Sequence, residues 1–182
     1  MRVGTKSLLF GGHQFIIHPI ILFFCYWKLY GFPFDPRLWL CFIVHDWGYF
    51  GCKDMDGEDG KYHPIFGASI VRIFCGKIWR ILCVTHSRKF VEILNKVSNV
   101  HNISKIGVAD KLAIVYTPLW MYCRKELDEY IFNEFSDNIP RDLPDGWSLM
   151  SFPAIWKSIV NEKALQFVKD NKDTAYEPRH YQ

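Results

Sequence analysis

No apolar run in this 182-residue sequence is long enough to cross a bilayer; the stretch from Ile20 to Trp27 is short and bracketed by His18 and Lys28. The opening MRVGTKSLLFGGH carries positive charge, but its apolar run is too short for a signal peptide. Six cysteines are present, yet they form no C-x-x-C pair and no zinc-like spacing. Four of them sit inside apolar runs, where a thiol behaves as a small hydrophobe. Reduced core cysteines in a cytoplasmic protein without a membrane partner are therefore expected. The net charge of +3 is too small to argue for nucleic acid. Internal repeats, low-complexity stretches and the alternating apolar–polar runs of strands are all missing.

What the sequence has is apolar bulk, 49% of residues with 17% aromatic, enough for one domain with a sizeable core. Pro19 suits the first turn of a helix that Gly31 then caps. Residues 36–47 read as a buried second helix. Residues 48–62, with four glycines and four acids, read as a loop, and their D-x-D-G-E-D order does not fit an EF-hand. Helices are expected at 64–75, 77–86, 87–97, 103–117 and 120–135. Pro140, Pro144 and Gly146 interrupt the pattern before a last helix near 153–170 and a polar, frayed tail. The fold class expected is an all-α bundle. Residues 1–140 are expected to form its main helical domain, and residues 141–182 a helical extension packed on the same domain. Trp147, Phe152 and Trp156 in that extension either pack on the chain's own core or serve a homodimer interface.

Against this background one pair stands out. His45 and Asp46 end the apolar stretch LWLCFIVHDWGY, placing an imidazole beside a carboxylate. Upstream lies His18, with His13 as a rival; downstream come His63 in YHPIFGA, His86 in VTHSRK and Asp110 in GVADKLA. Imidazole and carboxylate donors converging from different helices suit Fe, Mn, Zn, Ni or Co. Taken singly, each histidine also reads as a hydrogen-bonded core residue, and each aspartate as a helix N-cap. His101, near a turn, and His180, in the tail, read as structural or exposed.

The order H…HD…H…H…D resembles the HD superfamily of metal-dependent phosphohydrolases, and within it the two-metal branch. HPIFGA is similar to the HPxxGA-type segment of HD-GYP phosphodiesterases, and IGVADKLAI to the stretch that delivers their last aspartate. HDWGYFG lacks the usual lysine after the doublet, and no GYP follows His86, the latter arguing against cyclic di-GMP as substrate. Asp110-Lys111-Leu112 resembles compact HD nucleotidases and points towards small nucleotides. The resemblance covers about residues 18–116. It implies an HD-domain helical bundle in which His18, His45, Asp46 and Asp110 hold one divalent transition metal. His63 and His86 then hold a second, and Asp46 bridges the two.

That resemblance implies hydrolysis of a phosphate ester, of a nucleotide or a similar small substrate, by a metal-activated hydroxide. Asp46, Lys111 and Arg88 are the expected catalytic residues. Arg88, Lys89 and Lys111 are the expected grip on phosphate, with the fork of Arg88 best suited. Lys6 and Gln14 are weaker candidates, and Asp54 or Glu58 is a candidate acid or base. Trp47, Tyr49, Phe50 and Tyr62 read as core, or as rings that stack on a base. The alternative function is a mixed-valent di-iron oxygenase of the same superfamily, which uses the same six ligands to cleave a C–H or C–P bond.

Overall fold

The computed structural model describes residues 15–50, 52, 58–97, 102–118 and 152–178. Among them the fold is all-α, and no strand forms. The elements in chain order are α1 (Ile17–Tyr30), α2 (Pro36–Val44), a 3-10 turn (Trp47–Tyr49), α3 (Glu58–Lys61) and α4 (His63–Cys75). They continue with α5 (Lys77–Val84), α6 (Arg88–Val97), α7 (Lys105–Tyr116) and α8 (Phe152–Asn171). The helix expected at 120–135, along with His13, His101, His180 and Trp147, lies outside the described residues.

Local chemistry sets the helix ends. Asp35 accepts a hydrogen bond from the backbone N–H of Arg37, and Pro36 opens α2. Ser104 does the same for α7 by accepting from Gly107. Gly31 and Gly76, both at φ 89°, close α1 and α4 in the left-handed region, their N–H groups returning to Trp27 and Arg72.

Four helices make two out-and-back pairs that share one end. His18 stands at the start of α1, and His45 follows the end of α2; His63 opens α4, and His86 follows the end of α5. Helix α1 packs on α7 and α2, α4 packs on α5 and α2, and α8 lies along α7. Leu22, Val44, Val71, Leu82, Ile106 and Val108 fill the core between them with essentially no exposed surface.

Two expectations need revision. The stretch 48–62 is not all loop, because Trp47–Tyr49 and Glu58–Lys61 each form a helical turn. The tail expected to fray is tied down as far as Pro178. Tyr176 donates its N–H to Ile103 and accepts from Lys105, making an isolated parallel bridge at Ser104. Glu177 pairs with Lys105 and accepts a hydrogen bond from Tyr26. These partners lie far away in sequence, so local polarity carried no sign of them.

Candidate metal centre

Three close approaches of backbone to backbone bring the ends of these helices together. A Cβ on Gly67 in α4 would overlap the Val44 carbonyl, and one on Gly48 would overlap the carbonyl of His63, both closer than the 3.0 Å that real Cβ atoms respect. Gly107 in α7 also lies under that limit, with 2.7 Å between its Cβ position and the His86 carbonyl oxygen. Glycine at these positions lets α2, α4, α7 and the His86 segment converge without side chains between them.

All six sequence-expected donors meet there. His18, His45, Asp46 and Asp110, all buried, form one group whose ligand atoms lie within 4.8 Å of one another. Asp46, His63 and His86 form a second group by the same measure. Asp46 belongs to both, and its two oxygens divide between them. Oδ2 lies 3.2 Å from His45 Nε2 and 3.7 Å from His18 Nε2. Oδ1 lies 3.4 Å from His86 Nε2 and 3.5 Å from His63 Nε2. Asp110 lies inside α7 rather than at its cap, with Oδ1 2.9 Å from His18 Nε2 and Oδ2 3.0 Å from Lys111 Nζ. Asp110 is therefore not a helix cap, and Asp46, at the N-cap position of the 3-10 turn, makes no side-chain capping bond.

The ring orientations are set by groups that sequence reading passed over. Nδ1 of His45 donates to the Phe42 carbonyl at 3.0 Å, Nδ1 of His63 to Gly60 at 2.7 Å, and Nδ1 of His86 to Cys83 at 2.6 Å. Each carbonyl lies three residues back, in the last turn of a helix, where carbonyls lack intrahelical partners. A carbonyl oxygen only accepts, so each neutral ring carries its proton on Nδ1 and offers a lone pair at Nε2, the state a metal requires. Tyr49 stacks on His63 with ring centroids 3.9 Å apart and holds it from the side.

The donors fit a metal on two further grounds. The Nε2 atoms of His18 and His45 are buried without a hydrogen-bond partner; the approach of Asp110 to His18 is close but off the line of a hydrogen bond. The Nε2 atoms of His63 and His86 face each other at 3.0 Å, although both rings are already committed as donors at Nδ1. Two lone pairs held so close repel unless a cation lies between them. Nitrogens sharing one ion at about 2.0–2.1 Å stand roughly 3 Å apart. Buried His/Asp groups that can hold metal ions are thus the central chemical feature of the described chain.

The charges are coupled. Burial disfavours the charged form of His45, but Asp46, Asp110 and the Phe42 carbonyl outweigh it and raise the ring to about 9. Burial pushes Asp110 up, but the Lys111 ammonium and the His18 ring hold its carboxyl well below the usual range. A histidine raised in the folded state stabilises fully below its unfolded value and loses that contribution as pH climbs through the folded one. Chelated, metal-free protein is therefore expected to lose stability to urea between about pH 6.5 and about pH 9, and His45→Gln to flatten that slope. An unchanged slope in His45→Gln would show that His45 is not its source.

A cavity of about 600 Å³ opens onto Asp46, His63, His86 and Asp110, and Arg88, Lys89 and Lys111 line it. Ser87 and Glu92 line it too; neither was marked in the sequence, though both flank Arg88 and Lys89 in α6 or at its head. The Arg88 guanidinium lies 5.6 Å from the Phe167 ring, which anchors it from α8. A second cavity, of about 680 Å³ and lined by apolar groups including Phe15, Trp47, Phe50 and Phe66, carries no metal donors. Lys6, Gln14 and Asp54 lie outside the described residues. No helix among those described is long and apolar enough to cross a membrane. No protein-family model, no curated protein and no solved structure matches this chain.

Proposed function

We propose that this chain is a two-metal phosphohydrolase of the HD type, acting on a small phosphate ester of the nucleotide class. The observation that carries this reading is the divided carboxylate of Asp46, one oxygen towards each donor group, at the floor of a cavity lined by Arg88, Lys89 and Lys111. When bound, divalent ions such as Fe, Mn, Zn, Ni or Co supply an activated water and Lewis acidity towards a phosphoryl oxygen.

The chain's own residues do the rest. Asp46 spans both donor groups and fixes their separation. Lys111 holds the outer oxygen of Asp110 and so keeps its inner oxygen turned towards His18. Arg88 and Lys89, exposed at the cavity wall, grip the non-reacting phosphate oxygens, the guanidinium in two-pronged fashion. A dianionic substrate is drawn to this wall by the positive charges of Arg88, Lys89 and Lys111.

The test is phosphate release across nucleoside mono-, di- and triphosphates and simple phosphate esters, with metal-loaded protein prepared in and out of air. Arg88→Ala is expected to lower kcat/KM by about 10–100-fold with metal content unchanged. Oxygen uptake without phosphate release, by an iron-loaded protein, would replace this reading with the di-iron oxygenase.

A further inference from the structure

The two out-and-back helix pairs carry metal donors at one end and turn at the other, roughly 20 Å away for a helix of this length. That far end is built from the α1–α2 loop and the α4–α5 corner. They adjoin one another, because the Arg37 guanidinium at the head of α2 lies 4.5 Å from the Trp79 ring at the head of α5. Both turns pass through a left-handed glycine with open space around it, Gly31 and Gly76.

The side chains at these two tips are large, apolar and outward. Phe34 is 86% exposed, Ile73 78% and Phe74 75%. Their exposed charged neighbours Arg72, Lys77 and Arg80 are all cationic. Across residues 15–50 and 60–91 the only carboxylates are Asp35 and Asp46. Asp35 is bonded to Arg37, and Asp46 lies at the metal end. Exposed aromatic and aliphatic tips beside the exposed cations Arg72, Lys77 and Arg80 match a surface that is anionic above and apolar beneath. The exposed carboxylates described near this end, Asp173 and Glu177, lie on the other side of α1, beside Tyr30.

We propose that this end of the bundle docks on the anionic face of a lipid bilayer, Phe34, Ile73 and Phe74 entering the headgroup boundary while Arg72, Lys77 and Arg80 meet lipid phosphates. Clustered Lys and Arg beside exposed apolar side chains are attracted to anionic leaflets. The contact proposed is peripheral, with one leaflet. The docked protein leaves its metal cavity facing water. This departs from the expectation, drawn from sequence, of no membrane partner, and it is independent of the proposed hydrolase activity.

The experiment is flotation of the full chain with phosphatidylcholine vesicles, with and without phosphatidylserine, at low and high salt. Wild type is expected to float with the anionic vesicles and to be released by salt. The triple variant Phe34→Ser, Ile73→Ser, Phe74→Ser should bind at least about tenfold more weakly. Arg72→Glu with Lys77→Glu should abolish the preference for phosphatidylserine. The altered side chains are exposed, so an unchanged helical circular dichroism spectrum certifies folding, and single Phe34→Ser serves if the triple variant fails that check. Wild type that floats with neither vesicle, or a folded apolar variant that floats as well as wild type, overturns the proposal. So does a wild-type dimer that the triple variant dissolves, which would make this end a contact between copies of the chain.

Discussion

Asp46→Ala strips metal from both donor groups at once, whereas His63→Ala strips only one. The expectation follows from geometry: Asp46 supplies an oxygen to the His18–His45–Asp110 group and another to the His63–His86 group, while His63 faces only the second. Loss of a supporting partner typically weakens a metal site by about 10–100-fold, and loss of a shared ligand should exceed that in both sites. Its removal also leaves the Nε2 lone pairs of His63 and His86 facing each other at 3.0 Å without the nearest negative charge. Elemental analysis of protein purified without chelator settles it. Two equivalents in wild type, about one in His63→Ala and nearly none in Asp46→Ala is the expected series. A single equivalent in wild type that His63→Ala does not touch would mean one metal, held by the first group. Equal losses in Asp46→Ala and His63→Ala would remove the case for a bridge.

Gly67→Ala, a change that ordinarily strengthens a helix by about 1 kcal/mol, is expected here to destabilise the protein by about 2 kcal/mol or more. The added methyl would sit inside the carbonyl of Val44 and close to Cα of His45. Relief requires α4 to move away from α2, and the movement separates His63 from the His45–Asp46 pair. Stability to urea and metal affinity should therefore fall together. Gly48→Ala, which meets the His63 carbonyl, should behave alike. A rise in the unfolding midpoint of Gly67→Ala would show that the close approach is not needed, since only helix propensity would then be acting.

Much of this architecture was legible in the chain. Pro19, Gly31, Pro36 and Gly76 act locally, through φ restriction and missing or returning N–H groups, so they mark helix ends wherever the helices pack. The departures have a common cause. The helix expected to run from 36 to 47 ends at Val44, and the one expected from 77 to 86 ends at Val84. In both, a histidine ring just past the end takes a last-turn carbonyl, Phe42 or Cys83, that a continuing helix would have used for its backbone. A propensity argument has no term for that competition.

The roles of the charged residues divide in the same way. Asp110 in its sequence context serves equally as cap or ligand; only its place inside α7, facing His18, decides between them. Lys111 looked like a phosphate grip, yet its ammonium is also engaged with Asp110, which a neighbour in sequence need not be on a helix. Gly60 offered no signal at all, because its contribution to His63 is a carbonyl that every residue has.

By itself the sequence determined the helical class, most helix boundaries and the order of six metal-competent side chains, because periodicity, capping and residue chemistry are local. Only the tertiary structure decided that Asp46 faces two ways, that three rings present Nε2, and that glycines at 48, 67 and 107 permit the approach. Those facts concern distances between segments tens of residues apart, and such distances are set by packing, which no local pattern encodes.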